Sequence, residues 1–223
     1  MLHYNSAISV ARYLYSTKDR VIRYVRHPSE AHRNIPYVLN FTPGDGTEES
    51  FRVFVDADYA GSHDFRSCTG YISFLNGAPV QWSSKIQRLT AQSTTEAELV
   101  AMAESLKETL NLKLFLEELG IRRPDDPVPV MEDNSAATTM ATSGANHPKA
   151  KHYRVRLNFI RENTQPVDGS PPTIHIVQTP TALQLADGLT KTLTKDLFNV
   201  FQNAVTGKPL ASPSSSAASS GTN

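Results

Sequence analysis

The period of the hydrophobic positions changes several times along the chain, and each change marks an element. In the first segment Ile8, Ala11, Tyr15 and Ile22 recur at helix-like spacings, which predicts one helix and then a short extended piece running into Pro36. Residues 42–50, TPGDGTEES, carry no apolar period and read as a linker. From Phe51 the period shortens. FRVFVDADY, TGYISFL and APVQWSS are runs of β-branched and aromatic residues parted by turn residues. They predict three successive strands, the second and third joined by a tight turn at Asn76-Gly77.

Helical spacing then returns. Ser93 and Glu96 form a capping box, and Leu99, Ala103, Leu106, Leu110 and Leu114 make a stripe that ends before Gly120. VPVM at 128–131 reads as a fourth strand parallel to the first, and the small residues NSAATTMATSGA that follow it read as a short helix. Lys151 to Asn163 resumes helical spacing through Val155 and Phe159, TIHIVQT is a fifth strand, and 184–191 and 197–205 are closing helices. Trp82, on the third strand in an apolar context, reads as core. From Gly207 the tail GKPLASPSSSAASSGTN offers nothing to offset its ordering entropy and is expected to be disordered. The order of elements predicts an α/β fold, a mixed five-stranded sheet flanked by helices.

Composition narrows the classes. The 223 residues, 39% of them hydrophobic, suffice for one main domain with appendages. Lys and Arg number 22 and Asp and Glu 22, so any basic surface must be local. It is found at Lys149, Lys151, His152, Arg154, Arg156 and Arg161, opposed only by Glu162. That stretch reads as a rail for nucleic-acid phosphates, the alternative being a solvated helix face. A lone cysteine, Cys68, can form neither an internal disulfide nor a Cys/His zinc cluster, and it fits a reducing compartment. His147, His152 and His175 have no paired ligands at zinc spacing. No signal peptide is visible, nor any stretch near the roughly 20 apolar residues of a membrane span, so the expected protein is soluble and intracellular.

Acidic residues carry the candidate chemistry. Asp56 closes the first strand, Asp133 closes the fourth, Asp187 opens the last-but-one helix, and Glu98 lies early in the long helix on the side of Leu99. In an open sheet, sites form where strand ends meet helix starts, so these four can converge. Clustered carboxylates need protons or cations to offset their repulsion, and hard oxygen donors select Mg²⁺ or Mn²⁺. Two such ions about 3.5–4 Å apart serve phosphodiester hydrolysis. Asp58, Glu96 and Glu132 sit close enough to compete for the same role by composition.

FVDADYAG (54–61), TGYISFLNGAPVQWSSK (69–85), STTEAELVAMAE (93–104), VMEDNSAA (130–137), NHPKAKHYRVRLNFIRE (146–162) and QLADGLTK (184–191) follow one another in order. These blocks resemble the ribonuclease H domain of Copia-type retrotransposon Pol polyproteins, from about Phe51 to Val205. ARYLYSTKDRVIRYV (11–25) is similar to the segment that joins reverse transcriptase to that domain. The resemblance implies a ribonuclease H-like fold with Asp56, Glu98, Asp133 and Asp187 as catalytic metal ligands. Arg154 stands where the family usually has an acid, and Gly188 where it usually has a bulky aliphatic residue. The resemblance also implies a division into 1–41 as remnant of the connection to reverse transcriptase, 42–50 as linker, 51–206 as catalytic domain and 207–223 as tail.

The implied function is a metal-dependent endonuclease, a two-metal hydrolase that cuts the RNA strand of RNA–DNA hybrids during reverse transcription. Its expected partners are the hybrid, two Mg²⁺ or Mn²⁺ ions and the reverse transcriptase portion of a parent polyprotein, with no small-molecule cofactor and no membrane. Its expected setting is cytoplasmic particles or the nucleus of a cell carrying the transposable element. The competing reading is a catalytically silent remnant that binds nucleic acid or scaffolds a polyprotein. A strand-transfer integrase would share the architecture, but the single cysteine leaves no zinc module, and no paired-aspartate polymerase signature is present. Some lineages place a proton-transferring histidine before the last acid, and 177–186 holds none. DGS at 168–170 imitates an opening motif but lies between prolines in a loop.

Overall fold

Six of the seven residues of Arg52–Asp58 are buried, and this near-continuous run forms the central strand β1. A strand covered on both faces has no polar side to show, hence the unbroken apolar reading of RVFV. The structure is a computed structural model that describes residues 2–22, 51–143 and 153–206. The expected linker, the tail, the piece around Pro36, His147, Lys149, Lys151 and His152 lie outside the described residues.

On one side β1 pairs antiparallel with β2 (Cys68–Leu75), which pairs antiparallel with β3 (Ala78–Ile86). On the other side β1 pairs parallel with β4 (Val128–Glu132), itself parallel to β5 (Ile174–Gln178). The sheet order β3-β2-β1-β4-β5, with its antiparallel and parallel halves, is the mixed five-stranded sheet expected from the sequence. The β2–β3 turn has Asn76 at φ 49° and Gly77 at φ 77°. A two-residue hairpin with both φ positive matches the strand twist, and Asn-Gly tolerates it at least cost.

The helices are α1 (Leu2–Ser16), α2 (Thr94–Glu118), α3 (Ser135–Thr142), α4 (Arg154–Thr164), α5 (Asp187–Thr190) and α6 (Lys195–Thr206). Ser93 Oγ accepts the Glu96 N–H at 3.1 Å, and the Glu96 carboxylate accepts the Gln92 N–H at 2.8 Å, so the capping box starts α2 as expected. Gly120, at φ 68°, ends it: the Ile121 N–H reaches Leu116 O and the Gly120 N–H reaches Glu117 O, both at 2.9 Å. Leu99, Met102, Ala103 and Leu106 of α2 share one core with Val53, Val55, Val128 and Val130, and α4 adds Leu157 and Ile160. The other face of the sheet has a smaller core of Phe54, Ile72, Phe74 and Met131 under Leu185, Ala186 and Ala204. No described helix is long and apolar enough to cross a membrane.

Three sequence expectations are corrected. Leu114 is 55% exposed, because the turn after Gly120 folds against Lys113 and Leu116 and rotates the buried face of α2 away from it. Trp82 is also 55% exposed: β3 is the edge strand, and only the short C-terminal helices lie over its face. The helix read from the first segment is present as α1; Ala11 and Tyr15 are exposed, and the Tyr13 ring meets Phe198 edge-on at 5.8 Å while its hydroxyl accepts from Gln202. Helix was expected over 184–191, but Gln184 is extended and only Asp187–Thr190 is helical.

Candidate metal centre

Side chains alternate along β1, so Val53, Val55 and Ala57 enter the core under α2, while Phe54 enters the opposite one and Asp56 follows it. Asp56 is 1% exposed and faces Gly70 across the β1–β2 pair. Asp133 follows directly on the last residue of β4 and is half-buried. Glu98, in the first turns of α2, is 5% exposed and reaches the strand ends from the helix layer. One carboxylate oxygen from each of Asp56, Glu98 and Asp133 lies within 4.8 Å of the others, so three elements deliver three hard donors to one point.

Asp187 stands beside this group, with Lys191 between it and Asp56. The Lys191 ammonium is 2.9 Å from Asp187 Oδ1 and 3.7 Å from Asp56 Oδ1, and the Thr190 hydroxyl donates to Asp56 Oδ2. Neither Thr190 nor Lys191 was singled out from the sequence. The signal was their spacing in LADGLTK, which puts three and four residues after Asp187 on its own side of a helical turn. The centre opens on a cleft lined also by Asp58, Tyr59, Thr94 and Asn134.

The electrostatics are those of acids removed from water and crowded together. Burial pushes the Glu98 carboxyl up to about 11, with the charges of Glu132 and Asp56 adding to it. Burial raises Asp187 to about 7 against the opposing Lys191 contact. Asp56 is raised by burial too, with Thr190 and Lys191 opposing. Glu98 Oε2 is buried with no hydrogen-bond partner among the described residues. A hard cation fits this donor set: it is all oxygen, it comes from several elements, and it contains an unpartnered buried oxygen.

The three competing acids border the centre or start its helix, and none is in the group of three whose oxygens lie within 4.8 Å. The Asp58 carboxylate lies against Gly61, where any Cβ would collide with it at 1.7 Å. Glu96 is spent on the start of α2. Glu132, with its neighbours Val128 and Val130 in the α2 core, is fully buried, and burial pushes it up to about 8; its Oε1 accepts the Asn134 N–H at 2.9 Å.

Of the basic stretch, Arg154 is exposed and Arg156 half-buried, and neither lines the cleft. Arg161 forks onto the Met140 carbonyl, with Nε at 3.1 Å and Nη2 at 2.9 Å, and so ties α4 to the end of α3. The rail as a whole cannot be traced across the described residues.

Two glycines let the turn carrying Asp187 approach. A Cβ on Gly188 would meet the Phe201 ring at 2.7 Å, so a larger residue there would force that ring to shift. A Cβ on Gly70 would meet Thr190 Cγ2 at 2.5 Å and the Ala186 carbonyl at 3.1 Å. Gly70→Val is therefore expected to lift Thr190 and Lys191 off Asp56 and to weaken Mn²⁺ binding by about tenfold. Calorimetric titration checks this, and an unchanged affinity would show that the close approach is immaterial.

No family model matches the chain. The Pol polyprotein of transposon TNT 1-94 from Nicotiana tabacum is 33% identical over 195 residues, 83% of this chain and 14% of the polyprotein. That of transposon RE1 from Arabidopsis thaliana is 32% identical over 198 residues, 84% of this chain and 13% of the polyprotein. The chain thus spans about one-seventh of the length of these relatives. Among solved structures, LC11-RNase H1, isolated from compost, is 18% identical with a TM-score of 0.46, over 63% of this chain and 92% of that one. The same enzyme in complex with an RNA/DNA hybrid gives 17% and 0.45, over 63% and 93%.

Proposed function

The chain is homologous over most of its length to Pol polyproteins of Copia-type retrotransposons, its fold fits the ribonuclease H domain of such a polyprotein, and from that premise we propose that it hydrolyses the RNA strand of RNA–DNA hybrids. The observation that carries the proposal is the meeting of Asp56, Glu98 and Asp133 within 4.8 Å, each from a different element and each in a block shared with the resemblance. Asp187 completes the ligand set from the other side of Lys191.

Bound divalent cations supply Lewis acidity to an attacking water and to the leaving oxygen. The protein's part is to hold the donors ready. Asp56 is oriented by the Thr190 hydroxyl, and Lys191 balances Asp56 and Asp187 while they are close. Burial makes Glu98 hold its proton in the metal-free protein, so a cation at this point would take the place of that proton. Selectivity for RNA comes from 2′-hydroxyl contacts and hybrid shape, since single bases are not read in this chemistry. Residues 51–206 act as the catalytic unit. The segment 1–41 is read as the connection to a reverse transcriptase portion, and α1 leaves Val10, Leu14 and Tyr15 exposed.

The test is cleavage of a labelled RNA–DNA hybrid by the full chain in Mg²⁺ or Mn²⁺ and in EDTA. RNA-strand cleavage that needs the cation is expected. Metal-dependent cutting that ignores the RNA strand would replace the substrate, and no cutting above background would leave the silent-remnant reading. Lys151→Glu with Arg156→Glu should weaken hybrid binding and flatten its salt dependence while the saturated protein still cuts. Unaltered binding would return this stretch to a solvated helix face.

A further inference from the structure

We infer that Gln184 is a positioning residue of the metal centre, because its one buried amide ties together the three chain segments that carry Asp56, Asp133 and Asp187. Gln184 is 5% exposed and follows the 3₁₀ turn at 181–183 in extended conformation. Its Nε2 donates to the Val55 carbonyl at 3.0 Å and to the Met131 carbonyl at 3.3 Å. Its Oε1 accepts the Ala186 N–H at 3.2 Å. Val55 immediately precedes Asp56, Met131 lies two residues before Asp133, and Ala186 immediately precedes Asp187.

The sheet shows why a side chain is needed there. The parallel pairing of β1 with β4 runs through Val53↔Val130 and Phe54↔Met131 and goes no further. Just past the last pair the chains lead into Asp56 and Asp133, and there the Val55 and Met131 carbonyls both accept from one side chain. The amide of Gln184 bridges the two strands at the point where their pairing stops. The Val55 carbonyl belongs to the peptide plane that ends on the Asp56 nitrogen, so fixing that oxygen fixes the direction in which Asp56 leaves the strand. A carboxamide offers two donors and an acceptor in one plane: Glu lacks the donors, and Met of the same length lacks the donors and keeps only a weak acceptor.

This inference rests on reading the acids as cation ligands, and the test separates the two. The full chain carrying Gln184→Met is compared with wild type for Mn²⁺ affinity without nucleic acid, for hybrid affinity in EDTA, for kcat and KM, and by a metal-free crystal structure. Expected are Mn²⁺ binding weaker by about tenfold or more, a lower kcat with KM and hybrid affinity unchanged, and carboxylate oxygens of Asp56, Glu98 and Asp133 spread beyond their present 4.8 Å. Unchanged Mn²⁺ affinity with an unchanged spread would overturn the inference. A variant that fails to fold by circular dichroism at low temperature would overturn it as well, since the amide would then be an ordinary core contact. If wild type itself binds no Mn²⁺, the cation reading falls, and the carboxylate spread in the variant crystal decides the role of Gln184 alone.

Discussion

Asp133→Asn is expected to lower the rate of hybrid cleavage by about a hundredfold or more while hybrid affinity is retained. Asparagine keeps the size of the side chain and one oxygen donor but removes a unit of negative charge from the point where Asp56, Glu98 and Asp133 meet. Holding cations there depends on that charge, because the attraction of each carboxylate for the cations is what offsets the repulsion among the acids. The position is half-buried, past the end of β4 and outside both cores, so the exchange should leave the fold intact. Single-turnover cleavage at saturating protein measures the chemical step, and a separate binding curve in EDTA measures the hold on the hybrid. A variant that cuts as fast as wild type would remove Asp133 from the ligand set.

The metal-free protein should be more stable at pH 5 than at pH 8. In the unfolded chain these carboxyls titrate near 4, whereas in the folded chain Asp187 rises to about 7, Glu132 to about 8 and Glu98 to about 11. Above about pH 4 the unfolded state has released protons that the folded state still holds. Stability therefore falls as pH rises, and it goes on falling until each folded value is passed. A Tm in EDTA lower by about 5–10 °C at pH 8 than at pH 5 is the expected size for a domain of this length. Mg²⁺ should flatten the slope, since ligand at a hundredfold its Kd adds about 2.7 kcal/mol to the folded state and binds best when the acids are ionised. Glu98→Gln should flatten it without metal. A Tm that rises with pH in EDTA would mean that the carboxyls are already ionised and paired in the folded protein.

Local signals in the chain were strong enough to specify most of the sheet. RVFVDAD, TGYISFL and IHIVQ had the period or the apolar density of strands, Asn-Gly allowed only a tight turn, and Ser93 with Glu96 marked the start of α2 to the residue. These features depend on neighbours within a few positions, which is why one sequence displays them. The block order of Asp56, Glu98, Asp133 and Asp187 likewise placed four acids near strand ends and helix starts before any contact was known.

Burial and partnership obey no such local rule. Trp82 had the surroundings of a core residue, yet it lies on an edge strand that the short C-terminal helices cover only in part. Leu114 kept the helical period, yet a turn arriving from beyond Gly120 covers Lys113 instead. Glu132 and Asp133 are neighbours of like charge, and what separates them is the end of β4: the last strand residue is sealed with its carboxyl in the α2 core, and the next stands at the cleft. Thr190, Lys191 and Gln184 gained their roles from atoms as far as 134 residues away in the chain. The sequence by itself determined the elements, their order and the acids, because period, capping and turn chemistry act over a few residues. Only the tertiary structure decided which acid meets which and what holds them, because those contacts are made between chain segments whose separation no local period records.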